Sequence, residues 1–519
     1  MNEPSRKGRT GARRAAASSF ASVARLRDRE PDRAPTRVAV VDVGSNSVRL
    51  VVFEAMSRSP AYFFNEKVLC GLGSELGETG RLSAGGRVRA LAALRRFAAL
   101  AERMQVEALD GVATAAVREA EDGADFVAEV EAATGIVLRI ASGEDEARLA
   151  AQGVLMGWPD ADGLVADLGG ASLELCRVGL GEVGRGMTLP LGPLRLMGVE
   201  GGAEAQDQLI AASLGLAKGV IGSPGGRLYL VGGSWRALAK LHMVRTNYPM
   251  QVLHEFELPA ETMLALADEV AGTSPEDLAR EAPSSKDRLA VTPTGARVLA
   301  GLIRAAQPSR VAVSAFGLRE GVLYDYFPEA LRQQDPLLSA ARETERRLAR
   351  FPGFGAELAA WVWPLFPQAT LSRRRLIEAA CLLNDVSWNA HPDYRDQGVF
   401  EAVFRANLSG VGHAERAWIG AALRYRYKSG AGRSPSPALS LLGEQEVADA
   451  KLLGRAIRLG AMVCGSAPGV LPGCALEVGQ EALTLKLGPE ATALAGEVVL
   501  KRLASVAEAL GLAPVLTTA

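Results

Sequence analysis

The chain has 519 residues, 48% hydrophobic and 23% charged, with 58 lysines and arginines, 59 acids and a net charge of −1. That length predicts roughly three domains, and the balanced charge excludes a general nucleic-acid or membrane-surface binder acting through its overall field. Five scattered cysteines (Cys70, Cys176, Cys381, Cys464, Cys474) lack metal-ligand spacing and fit a reducing, cytoplasmic setting better than a disulfide framework. No apolar run approaches the roughly 18 to 20 residues that span a bilayer.

Residues 1–36 are rich in Arg, Ala and Ser without an apolar face, which predicts a disordered basic tail rather than a secretory signal. From 37 to about 160 the pattern runs strand (38–41), loop, strand (48–53), helix (88–105), short strand (112–114) and strand (137–140). A helix then opens at Glu144-Asp145-Glu146. A second unit, 161–330, repeats the strand–loop–strand opening at 164–178 and adds a strand, 228–231, running into Gly232-Gly233-Ser234. Alternating strands and helices predict an α/β architecture. The polar stretch 332–335 marks a boundary, and 336–519 reads as mostly helical, with Pro/Gly/Ser breaks near 430–437 and 465–473.

One short loop occurs twice. Asp42-Val43-Gly44-Ser45-Asn46-Ser47-Val48-Arg49-Leu50 returns as Asp167-Leu168-Gly169-Gly170-Ala171-Ser172-Leu173-Glu174-Leu175, with Asp, Gly, Ser and Leu at the same offsets. A single such turn reads as a hairpin, but a duplicated one points to two related halves. Glycine brings the backbone close to a ligand, and successive N–H groups form an anion nest. Two such loops facing each other would grip a phosphate chain from both sides.

Three further signals belong with the loops. Arg118 follows a strand at a predicted helix opening, where a guanidinium forks onto phosphate oxygens. Glu144 and Asp145 read as partners of a helix dipole, whereas Glu146 falls on another face and suits a base that accepts a proton from water. Glu174, two residues after Ser172, shares its side of the strand. Asp42, Asp167 and Glu174 thus form a hard oxygen set suited to Mg²⁺.

The ordered set DVGSNSVRL, ATAAVREA, IASGEDEAR, ADLGGASLEL, VGGSWRALA and SAFGLREGVLYD resembles the exopolyphosphatase and guanosine pentaphosphate phosphohydrolase family. The resemblance implies two actin-like, ribonuclease-H-like domains with the site in the cleft between them. It assigns Glu146 as catalytic base and Arg118 as phosphate contact. Asp42, Gly44, Ser45, Asn46 and Ser47 take the first loop's roles, and Asp167, Gly169, Gly170, Ala171, Ser172 and Glu174 the second's. Gly232, Gly233 and Ser234 match the nucleotide-side glycine motif of that fold. Ala171 replaces a third glycine and Asp145 a second glutamate. The 336–519 region resembles an HD-like domain only loosely: Asn384-Asp385, His391 and His413 leave a metal ligand missing at the diagnostic position, so a degenerate, non-catalytic domain is expected. Arg373-Arg374-Arg375 and Arg424-Tyr425-Arg426-Tyr427-Lys428 read as either a basic track for a polyanion or a solvated helix face.

The sequence therefore predicts a Mg²⁺-dependent exopolyphosphatase in which water attacks the terminal phosphoanhydride of inorganic polyphosphate. Guanosine pentaphosphate is the alternative substrate within the same chemistry. An actin-like kinase and a non-catalytic polyphosphate or alarmone sensor are the alternatives from other classes. A homodimer that binds neither nucleic acid nor membrane is expected.

Overall fold

The computed structural model describes residues 21–22, 37–281, 286–428 and 437–518. The basic tail expected at 1–36 lies outside the described residues, apart from Ala21 and Ser22; Ala21 forms one parallel bridge with Ala108. The chain divides into a first unit, Met1–Met56 with Tyr62–Ser142, and a second, Ser57–Ala61 with Gly143–Ala519.

In the first unit, β1 (Val38–Val43), β2 (Ser47–Phe53) and β3 (Tyr62–Leu69) form an antiparallel meander. Strands β4 (Ala108–Ala113) and β5 (Leu138–Ile140) extend it in parallel, giving the order β3-β2-β1-β4-β5. The Ala84–Arg103 helix, capped by Ser83 accepting from Gly86 N, buries Ala90, Leu94, Phe97 and Ala101 in the same core as Val41, Leu50 and Val52.

The second unit repeats this plan. Its strands are β6 (Gly163–Leu168), β7 (Leu173–Gly179), β8 (Glu182–Leu189), β9 (Arg227–Gly232), β10 (Phe256–Pro259) and β11 (Arg310–Val313). The order is β10-β11-β9-β6-β7-β8, with β6, β7 and β8 as the meander and β9 and β11 parallel to β6. The duplicated loop is thus the first turn of a duplicated sheet.

The domain boundary differs from the sequence reading. The Gly143–Gly157 helix, expected to close the first domain, packs on β6, β7, β8 and the Leu318–Asp325 helix of the second unit. Glycines permit that seat. A β-carbon on Gly321 would lie 1.7 Å from Leu149 O, one on Gly153 2.2 Å from Gly317 O, and one on Gly143 2.3 Å from Thr188 Cγ2. Arg58, buried with Ser57–Ala61, holds the helix's far end by donating to Met156 O (2.6 Å) and Leu155 O (3.3 Å), and also reaches Gln334 O (3.0 Å).

Beyond Pro336 the helices gather around Ile377, Trp418, Leu453 and Ile457. This region is not wholly helical: β12 (Cys474–Val478), β13 (Ala482–Leu487) and β14 (Ala513–Thr518) form a small sheet. Strands β12 and β13 carry leucine with ordinary helix propensity, so pairing decides them, whereas Pro514, Val515, Thr517 and Thr518 favour extended chain in β14. The break at 430–437 lies outside the described residues except for Pro437. Among the described residues no helix is long and apolar enough to cross a membrane.

A buried polar joint ties this region to the β10 strand. Tyr248 Oη lies 3.0 Å from His413 Nδ1, His413 Nε2 3.1 Å from His254 O, and Gly410 N donates to Glu255 Oε1 at 2.5 Å. Burial, with Arg416 adding like charge, holds His254 down to about 3 and His413 down to about 4.

Two outcomes follow from these contacts. Gly321→Ala will destabilise the protein by more than about 2 kcal/mol in urea denaturation, because backbone must shift to admit the methyl group. Gly215→Ala, with open space around it, will be neutral or stabilising by up to about 1 kcal/mol. For His413, the unfolded chain takes up a proton below about pH 6.5 while the folded protein does not, so its contribution falls as pH drops from 6.5 towards 4. The stability gap between wild type and His413→Asn will therefore narrow by about 1–2 kcal/mol between pH 7 and pH 5.

Candidate active site

The second loop is built by the β6–β7 turn. Gly169 N donates to Ser172 O at 3.0 Å, and Asp167 stands directly opposite Glu174 in the ladder, so both side chains leave the same face. Ser172 and Glu174 are buried, at 8% and 5% exposure. Thr188 Oγ1 donates to Glu174 Oε1 at 3.0 Å, and the Ser172 side chain also hydrogen-bonds Glu174. From the facing helix comes Glu146, 7% exposed, while Glu144 and Asp145 turn outward towards Arg185 (3.6 Å) and Arg148 (3.7 Å). The expected split of this acidic run between one inward and two outward carboxylates is what the helix presents.

Three carboxylates thus share one corner of the second unit. Burial pushes Glu174 up to about 8, and the neighbouring Glu146 and Asp167 charges add to the rise. The corner favours a shared proton or a cation. Gly169 leaves it open: a β-carbon there would point at Ser172 and at Glu174 Oε2, 3.9 Å away.

The first loop has the same backbone but a different charge. Gly44 N donates to Ser47 O at 3.0 Å, as in the second copy, while Arg49 takes the place opposite Asp42 that Glu174 takes opposite Asp167. Asn46 O accepts from Cys70 N and Gly71 N, and Ser45 O from Gly73 N, leaving the Asn46 side chain exposed. Arg118 does not open a helix. It lies in the last turn of the five-residue Ala115–Glu119 helix, and its Nη1 donates to Ala141 O at 2.8 Å. Helix-end assistance to a phosphate at Arg118 is thereby removed.

Gly232 ends β9 beside Leu168, in left-handed backbone (φ 116°), and a β-carbon there would lie 2.5 Å from Leu168 O. Only glycine fits this contact. None of Gly44, Gly169, Gly170 or Gly233 has a positive φ, and of the four only Gly170 is tightly packed, its β-carbon position lying 3.1 Å from Leu194 Cδ1. Ser234 is buried where the Lys286–Ala306 helix passes, 2.8 Å from a β-carbon placed on Gly295, so its hydroxyl faces packing rather than an open loop. Arg236 is held by Gly232 O (3.1 Å) and Ala315 O (3.0 Å).

Sequence reasoning missed Thr188 and Gly192. A β-carbon on Gly192 would meet Ala171 C at 2.1 Å, and Leu194 N donates to Gly170 O, so the 192–194 turn braces the second loop. The Leu189-Pro190-Leu191-Gly192-Pro193 turn signal was legible; its neighbour was not.

In the C-terminal region Asn384 and Asp385 are buried, and Arg350 and Arg426 grip the Asp385 carboxylate at 2.8 and 3.2 Å. His391 lies exposed beside Asp393, and His413 belongs to the buried joint. Neither basic run is a surface track or a simple solvated face. Arg373 stacks 4.4 Å over Trp418 and pairs with Glu446, Arg375 binds Asp335, and Arg424 and Arg426 are buried.

The paired sheets and the duplicated loop define an actin-like α/β protein. The Ppx/GppA phosphatase family model matches residues 51–330, and a model for the exopolyphosphatase C-terminal region matches 337–514. The chain belongs to the Ppx/GppA phosphatase family. Exopolyphosphatase 1 of Mycobacterium tuberculosis (strain ATCC 25618 / H37Rv) is 34% identical over 163 residues, covering 31% of this chain and 47% of the relative. That of Mycobacterium leprae (strain TN) is 32% identical over 163 residues, 31% of this chain and 48% of the relative. The chain therefore spans about half the length of these curated relatives. The crystal structure of the Aquifex aeolicus Ppx/GppA family member covers 58% of this chain and 100% of its own, at 25% identity and a TM-score of 0.51. An exopolyphosphatase from Cytophaga hutchinsonii ATCC 33406 shares the fold, at 20% identity and a TM-score of 0.51 over 56% of this chain and 99% of its own.

The crowded carboxylates set a further expectation. In EDTA at pH 8, Glu174→Gln will melt several degrees above wild type, because the amide keeps the Thr188 and Ser172 neighbourhood and removes a buried charge. An unchanged or lower Tm would mean that the three acids do not repel one another.

Proposed function

We propose that this protein is a phosphoanhydride hydrolase that releases terminal phosphate from inorganic polyphosphate, with guanosine pentaphosphate as the other candidate substrate. The observation that carries the reading is Glu146, a buried carboxylate held at a helix start against Asp167, Glu174 and the hydroxyl-bearing second loop. Glu146 accepts the proton of the attacking water. Ser172 and the Gly169–Gly170 backbone orient the terminal phosphoryl group within the second unit. The family and the exopolyphosphatase names of its relatives support this reading.

Mg²⁺ fits the residues present. Among the described residues no group of three His, Cys, Asp or Glu side chains could hold an ion. Mg²⁺ seldom needs such a cage: it takes one or two carboxylates, with water and substrate phosphate completing the octahedron. Asp167 and Glu174 would hold it. When bound it would supply positive charge that offsets the crowded carboxylates and the phosphate oxygens. Glu146, Ser172 and the loop backbone perform the remaining work of orientation and proton transfer. Direct attack by a water that Glu146 deprotonates needs no covalent intermediate.

The test is phosphate release by the whole chain, with long-chain polyphosphate and pppGpp offered separately. Glu146→Gln will lower turnover by about 10²- to 10⁴-fold and leave polyphosphate binding within a few-fold of wild type. Chelation of Mg²⁺ will stop release, and restoring the ion will recover it. Binding without turnover by the wild type would defeat the hydrolase reading and favour a sensor; phosphate transfer to an acceptor would favour a kinase.

A further inference from the structure

The Arg424–Lys428 run leads into the C-terminal region instead of over its surface. Arg426 is 6% exposed, its Nη2 donates to Asp385 Oδ1 at 3.2 Å, and its guanidinium lies 4.6 Å over the Tyr427 ring. Arg350 holds the same carboxylate through Nε and Nη2, each at 2.8 Å, and its Nη2 reaches Ser466 Oγ at 3.4 Å. Arg458, on the Glu444–Cys464 helix, donates to Tyr427 O at 3.1 Å. Arg502, on the Glu497–Leu510 helix, closes the group: burial first, then the charges of Arg502 and Arg426, lower the pKa of Arg458.

The charges do not balance. Arg350 and Arg426 share the Asp385 carboxylate, whereas Arg458, beside Arg426 and Arg502, and Arg502 itself pair with no acid among the described residues. Arg426 Nε, Arg502 Nε and the Tyr427 hydroxyl are buried with no hydrogen-bond partner among the described residues. Buried donors and buried like charges are both destabilising unless something answers them. The surplus is positive, clustered and forked, which matches the oxygens of a multiply charged phosphate and not a lone carboxylate. Asp385 binds Arg350 and Arg426 and leaves Arg426 Nε unanswered among the described residues.

We propose that Arg426, Arg458, Arg502 and Tyr427 form a second anion site, for the di- or triphosphate group of a small molecule, with Asp385 and Arg350 fixing its geometry. The donor is either an inorganic oligophosphate or the phosphate tail of a nucleotide, since both present the same oxygens. The site uses none of the residues assigned to hydrolysis and does not rest on the hydrolase reading. Occupancy neutralises the cluster and stiffens the packing of three helices, those bearing Arg426, Arg458 and Arg502.

The experiment is calorimetric titration and thermal melting of the full chain with methylenediphosphonate, whose bridging carbon prevents hydrolysis, and in parallel with GDP. The Glu146→Gln protein should bind the probe at this site as the wild type does, whichever way its turnover falls. Arg458→Gln/Arg502→Gln should lose at least tenfold in affinity at one site, with one fewer equivalent bound. Arg502→Gln alone should melt no lower than wild type without probe, because a repelling charge is gone, and should gain less Tm from the probe. Tyr427→Phe, which keeps the ring, should weaken binding several-fold while folding normally. Methylenediphosphonate binding as tightly as GDP would assign an inorganic donor; tighter GDP binding would assign a nucleotide. Equal affinity and stoichiometry in wild type and the arginine variants would overturn the proposal, as would a probe that leaves the wild-type Tm unchanged.

Discussion

The candidate site depends on a helix crossing that has no room for a β-carbon. Gly153 meets the backbone at Gly317, and Gly321 meets the backbone at Leu149, so two helices touch main chain to main chain. That contact fixes the axial position of the Gly143–Gly157 helix, and with it the placement of Glu146 at its first turn. Arg58 secures the other end through the carbonyls of Leu155 and Met156. A carboxylate that must meet one proton of one water needs a seat of this stiffness, because small displacements in such a geometry lower rates steeply.

The second unit concentrates charge of opposite sign in two places. Around the β6–β7 turn, Glu174 is crowded by Glu146 and Asp167 in a buried corner; in the C-terminal region, Arg458 is crowded by Arg502 and Arg426. Each is an arrangement that folding by itself disfavours unless charge of the opposite sign offsets it. The two copies of the loop make the contrast sharper. Their backbones superpose in hydrogen bonding, yet Arg49 stands where the second copy has Glu174. Duplication kept the turn and divided the charges, so that one half offers a cation opposite its aspartate and the other an acid.

Much of the site was legible as pattern. The repeated Asp, Gly and Ser offsets marked both turns, and the residues after Ser142 separated Glu146 from Glu144 and Asp145 by helix face alone. Other features were hidden. Thr188 and Gly192 act only through neighbours far along the chain, on β8 and beside Ala171. The short helix ending at Glu119 puts Arg118 in a last turn and not at the helix opening read from the sequence. The arginine-rich stretches looked like surface because arginine is usually exposed, and only the aromatic and carboxylate partners at Trp418 and Asp385 explain their burial. The strands β12 and β13 carry leucine where a helix would accept it equally well, and β14 reaches β13 only after the intervening Glu497–Leu510 helix.

The sequence by itself determined the α/β class, the duplicated turn and the inward acid, because strand alternation, glycine-bearing turns and helix faces are local properties with short periods. It also carried the family resemblance, since ordered motifs survive in the linear text. Tertiary structure decided which unit owns the Gly143–Gly157 helix, which glycines are indispensable and which arginines are buried. Those outcomes depend on the approach of backbones and charges distant in sequence, and no local period encodes them.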